Sequence, residues 1–157
     1  MRRFLFLDID GVIAITFGQF LSDKHCEFDP IPVNNLNLLC ERFPDLEIII
    51  SSSWRFSENV ESMKLIFLMR GFKYPKQIIG FTPKLRLSEK NSYSLPRGVE
   101  IDFWIRENTQ FSDQYKYVIL DDDSDMLLWQ KDNFLKTDGE EGFTKDLLYR
   151  AEEILKE

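Results

Sequence analysis

Three short apolar runs, each followed at once by polar residues, constrain the fold of this chain most strongly. They lie at 4–7, 46–50 and 117–120. A largely apolar run of this length, bounded by polar residues, is typical of a strand that is buried on both faces, as in a parallel sheet. Weaker strand candidates lie at 77–81 and 134–137. We therefore predict a sheet of parallel strands.

Helical patterns separate these runs, at 34–43, 57–70, 99–107 and 144–156. Asn34 is the expected cap of the first of them. Strands that alternate with helices predict parallel strands joined by crossovers, and hence an α/β fold with three layers. The polar residues from 82 to 98 are expected to form a long loop. With 157 residues, the chain is predicted to be a single domain over 1–157.

The charge balance limits the possible partners. The chain has 27 acidic and 20 basic residues, a formal net charge of -7. This balance argues against a broad basic surface for nucleic acid, although it permits local contact with one phosphate. No apolar segment has the length of a membrane span or of a signal peptide core. We expect a soluble, cytoplasmic protein that binds no membrane and has no evident obligate protein partner.

The polar residues after the three runs carry the candidate chemistry. They are Asp8 and Asp10, the serines 51–53, and the aspartates that begin at Asp121. In an open parallel sheet, ligands bind at the carboxyl ends of the strands. Three distant segments are therefore predicted to meet in one crevice.

Asp8 and Asp10 could be a functional pair or two residues of a turn that bond their own backbone. A carboxylate at the end of a buried strand is costly unless it is paired or bound to a metal. This cost favours the functional reading, in which one carboxylate attacks and the other carries a proton.

The acidic run from Asp121 to Asp125 has the alternation of a calcium loop but fails its other requirements. Such a loop needs glycine at its sixth position and glutamate at its twelfth, where this chain has Met126 and Asp132. A solvated acidic loop remains an alternative. Together with Asp8, the run is better explained as a magnesium site.

Four segments together resemble the motifs of the haloacid dehalogenase (HAD) superfamily. Residues 6–12 resemble its first motif, 48–55 its second and 117–122 its fourth, and Arg97 stands where the family places the basic residue of its third. The run Ser-Ser-Ser-Trp-Arg, with residues 137–144, is more narrowly similar to the HAD domains of RNA-repair "Swiss Army knife" proteins. The resemblance implies a three-layer Rossmann-like parallel sheet of the HAD type.

The resemblance also implies a mechanism. Asp8 would attack phosphorus and form an aspartyl-phosphate, and Asp10 would act as general acid and then general base. Mg²⁺ would be held by Asp8, the main-chain carbonyl of Asp10 and Asp122, with Asp121 nearby.

The resemblance further implies that a hydroxyl of the second motif and Arg97 would bind the phosphate. Ser52 is favoured over Ser51 and Ser53 by its distance from Trp54, although all three serines remain candidates. A contact between Arg55 and the leaving group is as compatible with the sequence as surface exposure or core packing. Other basic residues that could replace Arg97 in this role are Lys84, Arg86 and Lys90.

The segments between the motifs are too short for the cap domains that this superfamily often carries. We expect a capless enzyme, or one with a minimal cap, whose loops at 14–33 or 82–96 could form a lid. The expected function is Mg²⁺-dependent hydrolysis of a phosphomonoester, and the substrate is either a small molecule or a nucleic-acid end. The alternatives are a catalytically silent binding module and a phosphotransferase acting on a small metabolite.

Overall fold

A single parallel sheet organises the fold. The computed structural model describes residues 1–15, 27–88 and 91–156, with the side chains of 87–94 left out. The sheet has the strand order β3-β2-β1-β6-β7, and every neighbouring pair is parallel. Its strands are β1 (Arg2–Leu7), β2 (Leu46–Ile50), β3 (Ile78–Phe81), β6 (Tyr115–Asp121) and β7 (Phe134–Lys136). These are the five segments that the sequence predicts as strands.

The register of the central strand brings three chain segments to the same level. Leu7 at the end of β1 pairs with Ile50 on one side and with Leu120 on the other. The backbone N–H of Asp8 donates to the carbonyl of Leu120 at 2.9 Å, and that of Ser51 donates to the carbonyl of Leu7 at 2.8 Å. The polar residues that follow the three strands therefore start from one row at the carboxyl edge of the sheet.

The described residues also form four α-helices: α1 (Pro30–Arg42), α2 (Val60–Met69), α3 (Arg97–Asn108) and α4 (Lys145–Leu155). The prediction that the first begins near Asn34 is wrong, because the helix starts at Pro30 with Asp29 as its N-cap. Proline is tolerated in the first turn of a helix, where its missing N–H has no intrahelical partner. None of the described helices combines the length and apolar character needed to cross a membrane.

The two faces of the sheet are covered unequally. Helices α1, α2 and α4 pack on one face, around alternate residues of β1 such as Leu5 and Leu7. The opposite face carries Phe4 and Phe6, and there α3 supplies the main cover. Trp104 of α3 meets both phenylalanine rings edge-on, with ring centroids 5.3 and 5.4 Å apart. The result is the predicted three-layer α/β architecture.

The prediction of a structureless loop over 82–98 is wrong. Strands β4 (Arg86–Ser88) and β5 (Asn91–Ser94) form an antiparallel hairpin within this segment. At its base the N–H of Leu95 donates to the carbonyl of Leu85 at 3.1 Å. The strands are short and contain many polar residues, so they lack the apolar alternation by which a strand is recognised in sequence. The hairpin is the structured part of the segment that was expected to provide a lid.

Candidate active site

A tight turn after β1 brings the first acidic pair to the edge of the sheet. Gly11 has φ of 71°, a conformation that glycine adopts at no steric cost. Its N–H donates to the carbonyl of Ala14 at 2.7 Å and folds the chain back on itself. A Cβ added at Gly11 would lie 2.2 Å from Oδ2 of Asp122. The turn thus needs glycine both for its backbone and for the close approach of Asp122.

Three carboxylates meet where β1 and β6 end. Asp8, Asp121 and Asp122 each offer an oxygen within 4.8 Å of the others. Asp8 is 7% exposed and Asp121 only 1%. The Oδ2 atom of Asp121 is buried and has no hydrogen-bond partner. Because buried polar atoms are nearly always paired, this orphaned acceptor is a feature that a bound cation would explain.

The electrostatics of the cluster agree with that interpretation. Burial raises the pKa of Asp8 to about 6, although the charge of Arg97 and a hydrogen bond from Ser52 oppose the shift. Burial and the charge of Asp8 raise the pKa of Asp121 to about 8. The pKa of Asp122 is raised as well, chiefly by burial. Close, buried carboxylates disfavour their charged forms unless a cation compensates them.

Two groups that could bind phosphate lie beside Asp8. The hydroxyl of Ser52 acts on the Asp8 carboxylate and lowers its pKa. The NH1 atom of Arg97 lies 3.8 Å from Oδ1 of Asp8, and it is buried without a hydrogen-bond partner. The hydroxyl of Ser51, by contrast, pairs with that of Thr82 at 3.4 Å. The choice between Ser52 and Ser51 as the phosphate donor therefore stays a prediction.

The loop after β6 holds the first turn of α3, and with it Arg97. The backbone N–H of Arg97 donates to Oδ2 of Asp125 at 2.7 Å. Gln130, which is buried, accepts from the N–H of Leu127 and donates to the carbonyl of Gly98. The third motif is thus joined by hydrogen bonds to the loop that follows the fourth motif.

Arg55 forms a buried ion pair with Glu100 of α3. Its NH2 atom lies 2.5 Å from Oε2 of Glu100, and the two side chains are 4% and 2% exposed. Its NH1 atom donates to the carbonyl of Ser52 at 2.7 Å. The other oxygen of Glu100 accepts from the N–H of Leu85 at 3.0 Å. This pair connects the second motif, α3 and the base of the hairpin, and the sequence did not reveal Glu100.

Asp10 is not one of the three clustered carboxylates. Its side chain is exposed, and its Oδ2 atom accepts a hydrogen bond of 2.9 Å from the indole Nε1 of Trp54. The sequence alone predicts no role for the Trp54 indole. An aromatic residue beside a polar motif gives no sign of such a contact, because its partner is distant along the chain.

A polar pocket of about 320 Å³ adjoins this site. Its lining includes the basic Arg97, Arg55 and Lys84, the half-exposed Phe56, and the acidic Glu100, Asp123 and Asp125. The ammonium of Lys84 lies 3.7 Å from the centre of the Phe56 ring. Of the other basic candidates, Arg86 is not among the residues that line this pocket, and Lys90 lies outside the described residues.

The parallel α/β sheet, with acidic side chains at the ends of two adjacent strands, is consistent with a HAD domain. The model of the family described as "HAD domain in Swiss Army Knife RNA repair proteins" matches residues 4–148, and the chain belongs to this family. No curated protein and no solved structure matches the chain significantly. Family membership suggests an activity of the hydrolase or phosphatase type and a phosphorylated substrate.

Proposed function

We propose that this chain is a Mg²⁺-dependent phosphomonoester hydrolase in which Asp8 is the nucleophile. The observation that carries the proposal is the cluster of the buried Asp8 and Asp121 with the partly buried Asp122, beside which Arg97 lies. A cluster of acidic groups beside a guanidinium atom that has no hydrogen-bond partner suits a ligand that brings both a cation and an anion. A phosphate ester with its metal ion is such a ligand.

The donor set fits magnesium. Mg²⁺ prefers hard oxygen ligands, and it binds through a few carboxylates while keeping positions for water and phosphate oxygens. Asp8, Asp121 and Asp122 would hold the ion, and the buried Oδ2 of Asp121 is an acceptor still without a partner. The main-chain carbonyl of Asp10 remains a proposed further ligand. When bound, Mg²⁺ would neutralise the charge that gathers as phosphate meets these carboxylates.

The reaction follows from the residues around Asp8. A carboxylate oxygen of Asp8 attacks phosphorus, the bond to the leaving oxygen breaks, and Asp10 gives that oxygen a proton. Asp10 then takes a proton from a water molecule that attacks phosphorus, and the bond between Asp8 and phosphorus breaks. Inorganic phosphate is released and Asp8 is regenerated. Ser52 and Arg97 hold the phosphoryl oxygens throughout.

The chain has all four of the acidic residues that the mechanism needs, which argues against a catalytically silent binding module. They are Asp8, Asp10, Asp121 and Asp122. A phosphotransferase must protect its aspartyl-phosphate from water, which requires a closed site. Among the described residues, the only folded addition between β3 and α3 is the hairpin β4–β5. This small addition favours hydrolysis over transfer.

The pocket beside Arg97 supports a nucleic-acid end as substrate. Lys84 and Arg97 could contact phosphates, and Phe56 offers an aromatic ring of the kind on which bases stack. A volume of about 320 Å³ lies at the lower end of the range for small-molecule sites. It would hold one terminal nucleotide, while the rest of a strand would remain outside. The net charge of -7 agrees with contacts that are local.

The proposed activity is tested with p-nitrophenyl phosphate. Hydrolysis is expected in Mg²⁺ and not in EDTA, and Asp8→Asn should abolish turnover while Asp132→Asn, at an exposed position, should not. Full activity in EDTA would contradict the metal assignment. A tenth or more of the wild-type rate in Asp8→Asn would place the nucleophile elsewhere.

The substrate class is tested with matched pairs of 3′- or 5′-phosphorylated oligonucleotides and mononucleotides. We expect kcat/KM to be at least as high for the oligonucleotides. Lys84→Ala should lower kcat/KM for oligonucleotides more than for p-nitrophenyl phosphate, and Lys131→Ala, at another exposed lysine, should change neither. A clear preference for a small phosphorylated metabolite would refute the nucleic-acid proposal and leave the phosphatase proposal standing.

A further inference from the structure

The indole of Trp54 is hydrogen-bonded to Asp10, the proposed general acid and base. Its Nε1 donates to Oδ2 of Asp10 at 2.9 Å. An exposed carboxylate can rotate freely, whereas proton transfer to a leaving group requires an oxygen at a defined place. A fixed donor on one carboxylate oxygen removes much of that freedom.

The Trp54 ring is itself held in place. It lies on the short 3₁₀ helix Ser53–Phe56, and its backbone N–H donates to Oγ of Ser52 at 3.4 Å. Its ring centroid is 6.0 Å from that of Phe28, a buried residue that packs edge-on against Phe67 of α2. The guanidinium carbon of Arg70 lies 5.5 Å from the Trp54 ring. The donor is thus attached both to the hydrophobic core and to the segment that carries Ser52.

We propose that Trp54 is a positioning residue that orients the Asp10 carboxylate for proton transfer. An indole N–H can donate but cannot accept, so Oδ2 of Asp10 serves as the acceptor. Oδ1 is then the oxygen that exchanges a proton with the leaving group and later with water. This inference rests on the role proposed above for Asp10. It adds that the orientation of this group depends on the second motif.

The test is Trp54→Phe, which keeps an aromatic ring and removes the N–H. Because a hydrogen bond to a charged group contributes about 1.5–3 kcal/mol, we expect roughly a tenfold or greater loss of kcat/KM for alkyl phosphates, whose leaving groups need a proton. The loss of kcat/KM for p-nitrophenyl phosphate should be less than about twofold, since its leaving group departs as an anion in the first phosphoryl transfer, the step that kcat/KM reports. A role limited to packing would lower kcat/KM alike for both substrates.

The chain offers a matched control in Trp129, whose indole also donates to a carboxylate, Oδ1 of Asp102, at 3.3 Å. Trp129→Phe deletes the same kind of bond away from the site and should leave both substrates unaffected. In an Asp10→Asn background, Trp54→Phe should cause little further loss, because the two residues act as one unit. Additive losses would show that Trp54 acts independently of Asp10.

A variant that keeps the shape of the ring guards against misfolding. Benzothienylalanine at position 54 replaces the N–H of the indole by sulfur and should reproduce the leaving-group dependence of Trp54→Phe. If Asp10→Asn shows that dependence and neither change at Trp54 does, the inference is wrong and the proposed function stands. If alkyl phosphates are hydrolysed faster without the N–H, Trp54 holds Asp10 away from the reaction and the inference is also wrong. If the unmodified protein hydrolyses no phosphomonoester, the proposed function fails and this inference fails with it.

Discussion

Replacing Glu100 by glutamine should destabilise the protein severely. The side chains of Glu100 and Arg55 are 2% and 4% exposed, and burial already lowers the pKa of Arg55. Arginine cannot lose its proton in a protein, so Glu100→Gln leaves a buried positive charge with no counter-ion. Removing one partner of a buried ion pair typically costs about 3–5 kcal/mol. For a domain of this size, that corresponds to a fall in Tm of roughly 6–20 °C.

Urea unfolding followed by circular dichroism measures this loss directly. Glu153→Gln is the matched control, because Glu153 forms an ion pair with Lys156 while remaining 77% exposed, and it should change the free energy of unfolding by less than about 0.5 kcal/mol. The double variant Arg55→Met with Glu100→Leu should recover much of the stability, since no unpaired charge remains. A loss below about 1 kcal/mol for Glu100→Gln would refute the reasoning.

Three further perturbations test the site. The raised pKa values of Asp8 and Asp121 let the folded state hold more protons than the unfolded state, so the free energy of unfolding without Mg²⁺ should fall as pH rises from about 4 to about 8. In urea titrations, Mg²⁺ should stabilise the protein more near pH 8 than near pH 4. If Mg²⁺ has no effect on stability, the metal site is contradicted. Asp10→Asn should lower kcat/KM, which reports the first phosphoryl transfer, far more for alkyl phosphates than for p-nitrophenyl phosphate, and equal losses of kcat/KM would assign Asp10 a structural role. Gly11→Ala should lower the free energy of unfolding by about 1 kcal/mol or more, and it should weaken Mg²⁺ binding because the added Cβ displaces Asp122. Urea unfolding measures the first effect and calorimetry the second. A wild-type free energy of unfolding together with wild-type Mg²⁺ affinity would contradict the described turn.

The strands were predictable because burial on both faces leaves a direct mark in the sequence. The run at 46–50 coincides with β2, and the edge strand at 134–137 was found to within one residue. The start of α1 was missed because its first turn holds Pro30 and Pro32, which break a helix elsewhere but are tolerated there. The two short strands of the hairpin are polar and are joined by hydrogen bonds, so they show no apolar pattern in the sequence.

The candidate site likewise has some contacts that the sequence predicts and others that it does not. Parallel strands bring their carboxyl ends together whatever the details, so the approach of Asp8 to Asp121 and Asp122 follows from topology. The contacts of Glu100 and Trp54 do not follow from it, because each has its partner on a segment about 45 residues away. A buried glutamate in an amphipathic helix cannot be told from an exposed one until the guanidinium opposite it is known.

The role of Asp8 as nucleophile is the central claim, and pre-steady-state kinetics of Asp10→Asn with p-nitrophenyl phosphate tests it most directly. In this variant the first step needs no proton, whereas hydrolysis of the intermediate lacks its base, so the aspartyl-phosphate should accumulate. We predict a burst of one p-nitrophenolate per active site and one phosphoryl group on the peptide that contains Asp8, both absent when Asp8→Asn is added. Steady turnover with no burst and no phosphorylated peptide would contradict the claim, because water would then attack the substrate directly.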